Sequence, residues 1–242
     1  MRIIDLIKEV KWRYLFSGTY CRVCKGGKLS VAENVALRNS RIYVYPGSEL
    51  TISDNVVINH CTISIFQGAT TIGSGSIIGK EHRNCLMNVE KGELSIGSHS
   101  FIKTNRIWIR FGGRCSIGNF CNINEGSEIR CDSSVSIGNY NQISYNVIIW
   151  DTNTHSIIKR EERRAITKSH FPYFGFEKER PVTAPVRIGD DCWIGQNATI
   201  LKGSIIHDEV IVGFGCFITG QTIPAKTTAV NNIQLKTWQR ND

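Results

Sequence analysis

The chain has 242 residues, 41% of them hydrophobic, which fits one large folded domain or two small ones and excludes a disordered chain. Its formal net charge of +8 favours an anionic partner: nucleic acid, a membrane surface, an acidic glycan or a phosphorylated cofactor. No apolar run approaches the roughly 18 residues that a membrane-spanning helix needs.

The opening stretch MRIIDLIKEVKWRYLF places Ile3, Ile4, Leu6, Ile7 and Val10 at helical spacing beside Lys8, Lys11 and Arg13. It predicts a short helical cap over residues 1–29 that closes one end of the domain, with weak peripheral membrane contact as the alternative use. Cys21 and Cys24 form a CxxC pair, but neither a second pair nor histidines at suitable spacing follow, so no metal is expected. The nine cysteines are scattered along the chain and read as reduced thiols of a cytoplasmic protein, mostly buried as small apolar residues.

Beyond residue 30 the pattern changes. Isoleucines recur at Ile52, Ile58, Ile72, Ile78, Ile96, Ile102, Ile117, Ile123, Ile129, Ile137, Ile143 and Ile149. Five of them, Ile52, Ile72, Ile96, Ile117 and Ile137, are separated by 20, 24, 21 and 20 residues, which predicts a short outward insertion at one corner of each coil. After residue 187 the period is strictly six: Ile188, Ile194, Ile200, Ile206, Val212, Ile218. Such a period is neither helical nor that of a simple strand; it fits a unit of one short strand and one turn, three units to a triangular coil. The expected fold is therefore all-β, a parallel β-helix over residues 30–230. Amphipathic helices are nearly absent there, which argues against a doubly wound α/β fold.

Between Ile149 and Ile188 the hexads stop, and a long loop (150–187) takes their place. Loops of that length in a compact solenoid are usually functional. It carries Asp151 and His155 near its start, then Lys159, Arg160, Arg163 and Arg164, then Phe171, Tyr173, Phe174 and Phe176, an aromatic surface expected to fold onto a neighbour. Neutral histidine is a suitable base for drawing a proton from an attacking hydroxyl near pH 7. Asp151 either orients that imidazole or forms an Asx-turn. The remaining histidines, His60, His82, His99, His170 and His207, lie at corners or in the loop and include no pair at zinc-site spacing.

With the register of residues 188–218, and with His155 followed downstream by Pro185, Ile188-Gly189 and Trp193-Ile194-Gly195, the chain resembles the hexapeptide-repeat acyltransferases over about residues 30–230. It is similar to maltose and galactoside acetyltransferases. The segment from Asp151 to Ser156 also resembles O-acetyltransferases of capsular polysaccharide and lipopolysaccharide. The resemblance implies a left-handed β-helix, against the usual right-handed crossover rule, a homotrimer, and acetyl-CoA as co-substrate with no metal. It implies His155 as the base and the main-chain amide of Gln196 as the oxyanion donor. Asn124, Asp132 and Trp150 fall on the acceptor side. Trp193, Gly195, Gly213, Phe214, Gly215 and Thr219 fall along the pantetheine, and Lys226 toward the phosphates. The chain departs from many relatives after Lys226, where Val230 to Lys236 lacks their Asn-Pro-Ala-Lys stretch; this leaves the adenine contacts open.

The expected activity is acetyl transfer to a saccharide hydroxyl by direct attack in a ternary complex, since no cysteine is placed as an acyl carrier. A cell-surface glycan is the expected acceptor, and the net positive charge favours an acidic one. The alternatives are N-acetylation of an amino-sugar nucleotide and a non-catalytic β-helix scaffold; a scaffold would have no use for an imidazole opposite the Gln196 amide. Dispersed lysines and arginines without a fold signature argue against nucleic-acid binding.

Overall fold

The computed structural model describes residues 16–81, 84–172, 180–232, 236 and 238. Most strands are two to four residues long, too short to stand alone, and each is held by an equivalent strand one coil away. Three parallel faces result. Ten strands from Phe16–Ser17 to Thr228–Ala229 form the first, nine from Tyr20–Val23 to Phe217–Thr219 the second, and nine from Lys28–Val31 to Thr222–Ile223 the third. The described residues thus build nine complete coils and the first strand of a tenth. Counted from the N-terminal end, coil 6 runs from Asn122 to Ile137, coil 7 opens at Gln142, and coil 8 runs from Trp193 to Ile206. This is the all-β parallel β-helix that the hexads predict, and it is consistent with the left-handed winding that the resemblance implies.

Every repeat isoleucine named from the sequence points inward and is buried, and so is Val212. On the first face they sit directly on one another as Ile58, Ile78, Ile102, Ile123, Ile143, Ile194 and Val212. Seven of the nine cysteines are buried in or beside this column, as small apolar side chains would be.

Two expectations are corrected. Regular coils begin at Phe16, inside the segment assigned to an N-terminal cap, because Phe16–Ser17, Tyr20–Val23 and Lys28–Val31 already pair with the next coil. The expected helix itself falls in residues 1–15, outside the described residues. Nor do the extra residues of the early coils all form corner insertions. They lengthen the second- and third-face strands, so that each sends two side chains inward, such as Ile63 with Ile65 and Leu94 with Ile96. The chain leaves the coils in the long loop after Trp150.

The corner between the third and first faces shows how the turns are held. Asn34, Asn55, His99, Phe120, Tyr140, Asp191, Glu209 and Lys226 occupy it in successive coils with positive φ. Side chains of non-glycine residues rarely adopt this conformation. A ladder of amide and carboxylate oxygens offsets the cost: Asn119 Oδ1 accepts from Ser98 N (2.7 Å), Asn139 Oδ1 from Asn119 N (2.9 Å), Asp190 Oδ1 from Asn139 N (2.7 Å) and Asp208 Oδ1 from Asp190 N (2.9 Å). His99, Phe120 and Tyr140 stack outside it with ring centres 5.1 and 5.0 Å apart. Gly75 lies next in the column, where a Cβ would come within 3.0 Å of the His99 ring.

The inward column carries the stability. Truncating Ile63 to alanine leaves a cavity between coils that cannot collapse, and is expected to cost ~2–5 kcal/mol. Chemical denaturation followed by circular dichroism checks this; a loss below ~1 kcal/mol would show that the column yields.

Candidate active site

The chain leaves coil 7 after the second-face strand Ile148–Trp150 and re-enters at Val186–Ile188. A short antiparallel neck closes the excursion: Thr152 bridges Thr183, Asn153 N donates to Val182 O (3.0 Å) and Ala184 N to Asp151 O (3.0 Å). Within the loop lies a helix, Arg160–Ser169, that hydrophobic periodicity did not reveal, and none of its residues is buried. A ten-residue helix with no packed face is marginal in isolation. Ile157, just before it, is 95% exposed. On the returning limb, the Arg180 guanidinium donates to the Phe111 carbonyl.

Behind the neck is a buried polar knot. Arg110, at the end of the coil-5 strand, meets Asp132, one coil below, through two parallel hydrogen bonds of 2.9 Å (Nε to Oδ1) and 2.7 Å (Nη2 to Oδ2). Thr152 Oγ1 also donates to Asp132 Oδ2 (2.7 Å) and accepts from Thr154 N (3.1 Å), while Arg110 Nη2 reaches the Thr154 carbonyl (3.3 Å). Thr154, held from both ends, has a φ of 66°. A β-branched residue in that region is strained by about 1–3 kcal/mol and persists only where its surroundings over-determine it. The next residue is His155, exposed, on a backbone anchored to the corner between the second and third faces.

The knot reassigns two carboxylates. Asp132, expected to hold an acceptor hydroxyl, is fully buried with both oxygens engaged by Arg110 and Thr152, so it faces the protein instead. Asp151 is also fully buried. Its Oδ1 accepts from Asp132 N (2.8 Å), and its Oδ2 from Ser133 N (2.7 Å) and Ser134 N (2.6 Å). Those amides, not the His155 ring, are the partners of its carboxylate. Burial pushes the Asp151 carboxyl above the usual carboxylate range, the three amides pull it down, and the neighbouring Asp132 charge pushes it up again. Trp150 is half-buried on the outer second face, its ring 4.6 Å from the Arg130 guanidinium; that guanidinium also lies 5.2 Å from the ring of Trp108.

At the other end of the second face, the corner with the first face gathers the remaining predicted residues. Trp193, 58% exposed, leads through Gly195 to Gln196 in coil 8, and Gly213, Phe214 and Gly215 occupy the equivalent turn of coil 9. Among the described residues no acceptor takes the main-chain N–H of Gln196. Asn124 and Trp193 share a cleft of about 400 Å³ with Tyr140, Gln142, Ser144 and Asp191, and Asn124 Nδ2 donates to Ile143 O (3.1 Å). Two cofactor-side residues stand apart from this corner. Thr219 ends a second-face strand, and Lys226, at the corner of the third and first faces, lies 3.5 Å from the Glu209 carboxylate.

A single copy therefore places His155 with its knot at one edge of the second face, and Gln196 with the Asn124–Trp193 cleft at the other. A strand face of this length separates them by on the order of 15 Å.

Residues 185–220 match the family model "Bacterial transferase hexapeptide (six repeats)". That match covers the strict six-residue register of the last coils. Over 126 residues, 49% of the chain, it is 28% identical to the putative lipopolysaccharide biosynthesis O-acetyl transferase WbbJ of Escherichia coli (strain K12); the match spans 61% of that relative's length. The crystal structure of the polySia specific acetyltransferase NeuO superposes with a TM-score of 0.58 at 19% identity, covering 95% of this chain and 91% of that one, a likeness of fold.

In the hexapeptide coils, residues one coil apart in sequence are neighbours in space. Arg110 and Asp132 are 22 residues apart, Asp132 and Thr152 20. Neither pairing has a local motif, and only the coil length could have pointed to Arg110. Asp132→Asn should strand the Arg110 guanidinium in a dry site and destabilise the protein by ~3–5 kcal/mol. If thermal unfolding of that variant matches the parent, the carboxylate is free to serve a ligand after all.

Proposed function

We propose that this chain is an O-acetyltransferase that moves acetyl from acetyl-CoA to a hydroxyl of a saccharide, by direct attack in a ternary complex. The observation that carries the reading is the pairing of an anchored, exposed His155 with an unclaimed main-chain amide at Gln196 on a hexapeptide β-helix. A scaffold needs neither. The O-acetyl transferase name of the E. coli relative, and the acetyltransferase name of the NeuO fold neighbour, point to the same chemistry.

In this mechanism His155 draws the proton from the acceptor hydroxyl as its oxygen attacks the thioester carbonyl. The Gln196 N–H receives the negative charge that develops on the carbonyl oxygen. The carbon–sulfur bond then breaks, and the imidazolium returns its proton to the departing thiolate. Asn124 and Trp193 border the cleft beside Gln196 and are suited to hold the sugar and the pantetheine arm. Phe214, exposed one coil below, extends that surface.

Because His155 and Gln196 stand at opposite edges of one face, the working site lies between copies, with His155 of one opposite Gln196 of the next; a homotrimer closes such a set with identical contacts. The exposed loop helix and Ile157 are the surfaces that assembly would cover. Asp132, Arg110 and Asp151 act as positioning residues for the loop. The net charge of +8 suits an acidic cell-surface glycan, and a cytoplasmic location suits acetyl-CoA.

His155→Ala should lower transfer by at least ~100-fold while leaving the size of the assembly in gel filtration unchanged. Thiol release from acetyl-CoA across a panel of acidic and neutral glycans measures it. Retained transfer in the variant sinks the mechanism, and no release with any glycan sinks the substrate class.

A further inference from the structure

Above the Gln196 end, the first face carries polar atoms that the fold itself does not use. Thr104 Oγ1, Asn122 Oδ1 and Glu125 Oε2 are buried and have no hydrogen-bond partner among the described residues. Buried polar groups are normally paired, and an unpaired charged one is the most costly to keep. Three within coils 5 and 6, at and just before the corner of the first and second faces, call for an explanation.

Glu125 follows Asn124 directly and is only 6% exposed. Its Oε1 accepts from Lys80 Nζ at 2.8 Å, leaving Oε2 bare. Burial alone would raise this carboxyl, but the Lys80 hydrogen bond and the Lys103 charge bring it below the usual carboxylate range, so the bare oxygen is anionic at neutral pH. The Lys80 side chain is 56% exposed, so the ion pair that holds Oε1 lies at the surface.

Lys103 adds the opposite charge. Its ammonium stands 4.3 Å from the centre of the Phe101 ring, and Phe101 sits in register directly above Asn122. Asn122 Nδ2 is 3.5 Å from Gln142 Oε1, and Gln142 lines the cleft of Asn124 and Trp193. The cluster is thus continuous with the transfer site. It lies two to three coils above Gln196, about 10–15 Å at the usual strand spacing.

Bare acceptors beside an ammonium match a ligand that offers hydroxyl donors next to an anionic oxygen. We propose that Glu125 and Lys103 form an acceptor subsite for an acidic sugar, Glu125 Oε2 accepting from a sugar hydroxyl and the Lys103 ammonium meeting the sugar's carboxylate. The subsite rests on the acetyl-transfer reading for its purpose, and it selects the acceptor without touching the reacting atoms. A site built to hydrogen-bond a hydroxyl discriminates strongly against ligands that cannot supply it.

Binding is measured first, without acetyl-CoA, by saturation-transfer NMR. The probes are trimers of galacturonic acid and of N-acetylneuraminic acid, with maltotriose as the neutral control. The expected result is binding of at least one acidic trimer, weakened about tenfold or more by Glu125→Gln and by Lys103→Gln, with thermal unfolding of both variants kept close to the parent. Where transfer is observed, both variants should raise KM for the acidic acceptor and leave KM for acetyl-CoA unchanged. Failure to bind either acidic trimer, equal binding by parent and variants, or equal loss for maltotriose overturns the proposal. Binding without thiol release would instead count against the transferase reading alone.

Discussion

A strand of two residues, such as Ile77–Ile78, can neither satisfy its own main chain nor bury its own side chains. It persists because the next coil accepts its amides, Ile77 N donating to Ser100 O at 2.9 Å and the following Gly79 N to Ile102 O at 2.8 Å, and because Ile78 is covered above and below by Ile58 and Ile102. In-register stacking between coils is therefore the constraint on which the molecule depends. It also fixes what the outside can do, since every outward side chain has a neighbour one coil away whose identity is set by sequence separation.

The knot beneath His155 uses that constraint at its most demanding. A guanidinium and a carboxylate can share a dry corner only if their geometry is good and their remaining hydrogen-bonding capacity is filled. Arg110 and Asp132 meet both conditions, with Thr152 and Thr154 taking up the rest. The Arg110 guanidinium also lies 4.8 Å from the Trp108 ring. A rigid polar corner at the base of a long, exposed loop gives the loop one defined point, and His155 sits on it.

The solenoid was legible in the sequence because hydrophobic burial leaves a period, and the period survives even where strands lengthen. The beginning of the coils was less legible: Tyr20–Val23 and Lys28–Val31 lack the isoleucine signature and show their nature only through pairing with Arg41–Val44 and Glu49–Ile52. Among the proposed site residues, Gln196 came from the family resemblance, and His155 from that resemblance together with its place just inside the break in the repeat. Asp132 and Asp151 look in sequence like polar residues available to a ligand or to an imidazole, because nothing local says that three amides and a guanidinium will claim them. The helix Arg160–Ser169 escaped notice for a related reason: with no buried face it carries no apolar stripe to read.

The regular coil has a consequence for how such a protein can change. Adding or removing one complete coil between Lys103 and Gln196 would alter the distance between them by a single strand spacing, about 4.8 Å, and leave each turn and each inward isoleucine in its old environment. The solenoid thus behaves as a graduated ruler. A lineage could lengthen or shorten the reach of the proposed acceptor surface in fixed steps while the histidine, its anchored corner and the Gln196 amide stay as they are.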